Sequence, residues 1–173
     1  MGLKSLSQQA ERAIFTITKI KNKCGDLPVE ISFHLFDKLV LPILLYGAEV
    51  WGYERRDSIE AVHTKFCKYI LCLPSHTSNV AVLGECGRLP LCVHYMYKCI
   101  KYWLKLVQSI ENRYPKHLYN VLYNQNESGR TTWATKVKNV LYLSGFGYVW
   151  DNQSVGNAEL FLSEFKQRLI DNR

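Results

Sequence analysis

A chain of 173 residues is long enough for one domain with a real core or for two small ones. Hydrophobic residues make up 47% and charged residues 21%, a balance that excludes a disordered polyelectrolyte. The formal net charge of +7, with a sequence pI near 9.1, favours a polyanionic or acidic partner.

The hydrophobic period is helical nearly throughout, and it predicts an all-α fold: an irregular helical bundle of about six to eight helices. Leu6, Ala10, Ala13, Ile17, Ile20 and Cys24 recur every three or four residues as the buried face of a first helix. Gly25 suits its C-cap, and Pro28 suits the first turn of the next helix. That second helix carries Ile31, Leu35, Phe36, Leu39 and Val40, and runs into "LPILLYGAEVWG", residues 41–52. Being apolar on nearly all sides, it is expected to be the central core helix, kinked at Pro42, where a helical N–H is lost. Gly47 is expected to relieve crowding where it ends, with Trp51 covering that end as a buried ring. Glu49 is expected to act as a cap or to pair with Arg55 or Arg56.

A third helix places Ile59, Val62, Phe66, Ile70 and Leu73 on one face and stops at Pro74. Capping residues from Ser75 to Asn79 introduce a short fourth segment through Leu83. "GECGRLPL" then turns the chain, and Pro90 starts a long helix with Cys92, Met96, Cys99, Ile100, Trp103 and Val107 inward. A short helix near His117–Tyr123 is followed by "NQNESGRTT", a loop by composition. Helices around Trp133–Leu143 and Asn157–Ile170 flank "SGFGYVWDNQSVGN", in which Phe146–Trp150 reads as a short extended piece. There is no internal repeat and no low-complexity tract.

The apolar run ending at Tyr46 is too short to cross a bilayer, which takes about 20 residues. Lys4, Gln8, Gln9, Glu11 and Arg12 interrupt any signal-peptide core, and Leu6 stands where a myristoylation motif needs Ser or Thr. The expected location is therefore intracellular, in nucleus or cytoplasm, with no membrane partner. There the six cysteines stay reduced, and the sequons at Asn126 and Asn152 carry no weight. No C-x-x-C pair occurs. The best metal candidate is Cys67, Cys72 and His76 with Cys86, Cys92 or His94, but these spacings lack the tight ligand pairs of zinc sites. Cys92 and Cys99 read instead as small hydrophobes. No metal and no cofactor is expected.

Catalytic constellations are missing as well. Asp26, Asp37, Asp57, Asp151 and Asp171 never occur as a pair, whereas two-metal phosphoryl chemistry needs clustered carboxylates. There is no H-E-x-x-H, Walker loop or G-x-S-x-G, and "GFG" at 145–147 lacks the third glycine of a dinucleotide fingerprint. A Cys–His nucleophile pair is a weak third possibility. What remains is basic stripes. Lys4, Arg12, Lys19 and Lys23 lie opposite the apolar face of the first helix. Lys65 and Lys68 sit on the third helix behind Arg55 and Arg56, and Lys98, Lys101 and Lys105 follow helical spacing on the long one. Residues 74–118 hold six Lys/Arg against Glu85 and Glu111. Such stripes can track phosphates and release counterions.

The segments "LVLPILLYGAEVWG", "IEAVHTKFCKYILCLPSHTSNVAVLGECGRLPL" and "IKYWLKL" resemble the region after the polymerase core in LINE-type (non-LTR) retrotransposon reverse transcriptases. "TTWATKVKNVL", "GFGYVWDNQSVGN" and "FLSEFKQRLID" extend the resemblance over nearly the whole chain. It implies that residues 1–73 form a thumb-like helical bundle and that 74–173 form a helical connecting or C-terminal region packed on it. The aromatic-x-Asp-Asp motif of the family's palm is absent, as are fingers, endonuclease and a Cys/His knuckle. The chain is accordingly expected to be no enzyme, whether a truncated element, a gene-model fragment or a reused thumb. Its expected role is to contact the backbone of an RNA–DNA or DNA duplex weakly and without sequence preference. The rival from another class is a helical protein-interaction module, self-associating through surface that once met the palm, or a remnant without activity of its own.

Overall fold

The structure is a computed structural model that describes residues 3–25, 27–110 and 113–172, with only the backbone described at Leu3, Lys4 and Cys24. The expectations for Lys4 and Cys24, and those for Asp26 and Glu111, lie outside what is described. Among the described residues every regular element is helical, and eight helices are seven residues or longer. The fold is all-α. None of these helices is long and apolar enough to cross a membrane.

The chain divides into two compact units that interleave in sequence, Met1–Tyr46 with Arg56–Leu91, and Gly47–Arg55 with Cys92–Arg173. In the first unit, α1 (Leu3–Cys24) packs on α5 (Asp57–Ile70) and on the segment that follows α2 (Val29–Leu35). That segment is a π turn, Phe36–Val40, leading into α3 (Leu41–Leu44). Pro42 falls in the first turn of α3, so the expected break occurs, but the wide π turn precedes it. The turn also changes which residues are buried. Ser32, Phe36, Val40 and Leu44 recur every four residues and are all inaccessible, whereas Ile31 and Leu39, expected in the core, are 47% and 43% exposed. A spacing of four drifts around an α-helix of 3.6 residues per turn, and the wider turn takes up that drift.

α6 (Asn79–Glu85) closes over α5, with Val82 and Leu83 against Cys67 and with Phe33, Leu73 and Cys86 around them. Leu73, where the sequence suggested a boundary, therefore lies inside the first unit. α5 ends at Ile70 in a Schellman arrangement: the Cys72 N–H donates to the Tyr69 carbonyl (3.2 Å) and the Leu73 N–H to the Lys68 carbonyl (2.9 Å). Cys72 takes the left-handed position of that motif, φ +53°.

In the second unit, α4 (Ala48–Trp51) sits with α7 (Leu91–Val107), α8 (Tyr114–Glu127), α9 (Trp133–Leu143), α10 (Gly147–Asn152) and α11 (Ala158–Asp171). Trp103 and Trp150 stack at 5.9 Å, both buried. The Trp103 indole N–H donates to the Tyr119 hydroxyl (3.0 Å), which donates to Gln153 Oε1 (2.5 Å). Phe146 packs edge-on to Phe161 and Phe165, the i, i+4 pair on the buried face of α11.

Two sequence expectations fail here. "NQNESGRTT" is helical through Glu127: α8 runs from Tyr114, with Pro115 in its first turn, and ends just before Gly129, which adopts φ +81°. Phe146–Trp150 is not extended: Gly147–Asn152 is a short helix, with Val149 and Trp150 buried and Tyr148 exposed. Aromatic and β-branched residues over so short a run suit a strand or a buried helical turn equally, and packing decides.

Candidate nucleic-acid interface

"LPILLYGAEVWG" holds structural parts. Gly47 adopts φ +66° between α3 and α4, a left-handed turn that a β-carbon disfavours. Trp51 is half-buried rather than buried, tilted against Tyr95 at 5.2 Å, because α4 is one turn long and leaves an edge of the ring open. Glu49 faces Lys98 at 3.9 Å, a partner the sequence did not suggest. Gly52 is the tightest position. A β-carbon there would stand 2.3 Å from the Tyr95 carbonyl oxygen, so α7 backbone lies directly against this glycine. An open apolar cleft of about 350 Å³, lined by Leu6, Gln9, Pro42, Ile43 and Tyr46, adjoins α3 and contains no carboxylate, histidine or cysteine.

The titratable groups that do converge form a clamp in the first unit. The Arg88 guanidinium donates to both carboxylate oxygens of Asp37 and, through Nε–H, to His63 Nε2 at 2.9 Å. It also lies over the rings of Phe33 and Phe36, 5.0 and 5.4 Å from their centroids. His63 Nε2 is the acceptor of the bond from Arg88. That Nε2 lone pair is committed to Arg88 and does not serve a thiol as base. Glu60, also buried, accepts the Leu91 N–H at 3.0 Å. The clamp ties the turn before α7 to the π turn and to α5. Sequence reasoning passed over it, although His63 stands four residues after Ile59 on the buried face of α5, where a polar group needs a partner.

Cysteines follow packing. Cys67, Cys92 and Cys99 are buried, and Cys72 is exposed in its left-handed cap. Burial pushes the Cys67 thiol up to about 12, helped by neighbouring Cys86, and pushes Cys99 up to about 12, helped by the Glu49 charge. Among the described residues no three His, Cys, Asp or Glu side chains gather as a metal ion would require. The aspartates are dispersed: Asp37 is with Arg88, Asp151 accepts from the Tyr142 hydroxyl (2.6 Å) and Asp171 from Gln167 (2.8 Å).

α1 packs on α5, and each helix carries exposed basic residues. Arg12, Lys19 and Lys23 are exposed on α1, and Lys65 is exposed on α5. The helices meet there through Lys65 and Glu11, 3.8 Å apart, and through Lys21, whose ammonium lies 5.4 Å from the centroid of Tyr69. Phe15 stands exposed among the cations, with the Lys19 ammonium 4.8 Å from its ring centroid. Lys68 turns away to donate to the Ser75 carbonyl (2.7 Å), and Arg56 is half-buried at the N-cap of α5. Arg55 belongs to the second unit, as do Lys98, Lys101 and Lys105 on α7. There Lys101 and Lys105 are exposed, while Lys98 is half-buried and engaged with Glu49. Phe15, Lys21 and Tyr69 were missed in the sequence. Phe15 had a signal, being a large apolar residue in phase with Arg12 and Lys19 rather than with the core. Compared with known protein families, curated proteins and solved structures, the chain matches none.

Proposed function

We propose that this chain is a non-catalytic helical module that binds nucleic acid through the phosphate backbone, as the thumb of a LINE-type reverse transcriptase would. The observation that carries this reading is that Arg12, Lys19 and Lys23 are exposed along α1, and that Lys65 is exposed on α5, the helix against which α1 packs, beside Glu11. Exposed cations at helical spacing can follow a line of phosphates, and no base-reading geometry is needed for that. The partner is an RNA–DNA or DNA duplex, held weakly and without sequence preference.

The test is a salt titration. Affinity for an RNA–DNA duplex should fall with salt on a log–log slope of about −0.9 for each phosphate neutralised. Replacing Arg12, Lys19 and Lys23 together by Gln should flatten that slope with no change in the far-ultraviolet circular dichroism. A flat response in the unmutated chain would overturn the reading.

A second reading, docking to a protein, is favoured by α8. Tyr114, Leu118 and Val121 are 80%, 53% and 44% exposed and recur at i, i+4 and i+7, an apolar stripe without a role in the core. Self-association that Leu118→Glu abolishes, combined with a flat salt response, would favour it.

A further inference from the structure

The proposed phosphate-binding face contains something phosphates do not need. Phe15 is 60% exposed on α1 and Tyr69 is 42% exposed on α5, and each carries a lysine ammonium over its ring, Lys19 at 4.8 Å and Lys21 at 5.4 Å. Phe15 lies three residues after Arg12 and four before Lys19, alongside the basic stripe of α1. At 60% exposure Phe15 leaves most of its ring open to solvent. A ring among cations has one obvious complement, a flat π-face attached to a phosphodiester chain.

We propose, resting on the nucleic-acid reading above, that the α1–α5 face prefers single-stranded nucleic acid to duplex, with Phe15 and Tyr69 as base-stacking platforms between the lysines. In a duplex both faces of each internal base are already stacked on neighbours, so the rings have nothing to meet and only the cations contribute. An unpaired strand offers its bases as well as its phosphates. The ammonium over one side of each ring holds the phosphate side of the site, and the exposed remainder of the ring receives the base. Because every base has a π-face, the preference carries no sequence requirement.

The experiment compares a labelled 15-nucleotide oligothymidylate with a blunt RNA–DNA hybrid of equal length, by fluorescence anisotropy at several salt concentrations on the full chain. The oligothymidylate should bind more tightly, by about tenfold for one stacked base. Phe15→Leu, which keeps an apolar side chain but removes the ring, should lose about that factor on the single strand and leave the hybrid and both salt slopes unchanged. Tyr69→Leu should behave alike, and Tyr69→Phe should behave as the unmutated chain. Salt-dependent binding of both probes with equal affinity, or an equal loss on both in Phe15→Leu, would overturn the stacking proposal and leave the phosphate reading standing. Binding of the hybrid alone would overturn the stacking proposal, and failure of both probes to bind in a salt-dependent way would overturn both.

Discussion

At the scale of single residues, tight contact outweighs bulk. Trp51 is large but half-exposed against Tyr95, so Trp51→Ala should cost about 2 kcal/mol, below the range for a fully buried ring. Gly52 is the smallest residue of the same motif and the less replaceable one. Its missing β-carbon lets the Tyr95 and Ala48 carbonyl oxygens come within 2.3 and 2.4 Å of where that carbon would be. Both are backbone atoms and cannot rotate away. Gly52→Ala should therefore cost about 3 kcal/mol, more than Trp51→Ala. Denaturant melts of the two variants check the order, and the reverse order would mean that this backbone approach is looser than described.

At the scale of elements, helix ends carry more of the design than helix middles. The Schellman arrangement that closes α5 recurs after α6, α8 and α9, where Gly87, Gly129 and Gly145 take the left-handed position. At α5 the position belongs to Cys72, φ +53°, an L-residue where a β-carbon is unfavourable. Its thiol is exposed, so nothing in packing repays the strain. Cys72→Gly should raise stability by about 0.5 to 1 kcal/mol, less the extra freedom glycine gives the unfolded chain. A rise in the denaturant midpoint with unchanged slope is the expected result, and a fall would give the Cys72 side chain a role of its own. Side chains cap two helix starts: Thr132 and Thr135 form a reciprocal box before α9, and Asn157 accepts the Glu159 and Leu160 N–H groups, each at 3.0 Å, before α11.

At the scale of the whole molecule, the buried acids-in-waiting set the response to pH. Cys67 and Cys99 have an ordinary thiol value of 9.0, raised on folding to about 12, and Tyr119 moves from 10.0 to about 12, in each case chiefly through burial. The folded state therefore holds these protons more tightly than the unfolded chain does. Below about pH 9 both states keep them and these groups give no pH dependence. From about 9 to about 12 the unfolded chain loses protons first, so stability should fall as pH rises through that window. Denaturant midpoints measured across it check the sign, and a midpoint that climbs would contradict the burial of these groups. Thiol labelling at pH 8 gives an independent view: Cys72 should react in the folded protein, with Cys67, Cys92 and Cys99 following only on unfolding.

Local periodicity is a property of the chain itself, so the sequence by itself determined the all-α class, the buried face of α5 and the inward Trp103. It also determined that the basic residues alternate in phase with the apolar ones, which put Arg12, Lys19 and Lys23 on the outer side of α1 before any packing was known. What depends on two distant segments meeting was not legible. Phe146–Trp150 became a helix because its buried side, Phe146, Val149 and Trp150, fits aromatic neighbours from α8 and α11 and from Trp103. Glu49 met Lys98, 49 residues on, rather than the nearby arginines. Asp37, His63 and Arg88 became one clamp only when the turn before α7 folded back to the π turn. The candidate interface shows both halves of this division. Each stripe was written along one helix at a period of three and four. The meeting of Lys65 with Glu11 and of Lys21 with Tyr69 was decided by how α1 lies on α5, and a one-dimensional pattern carries no information about the angle or side on which two helices meet.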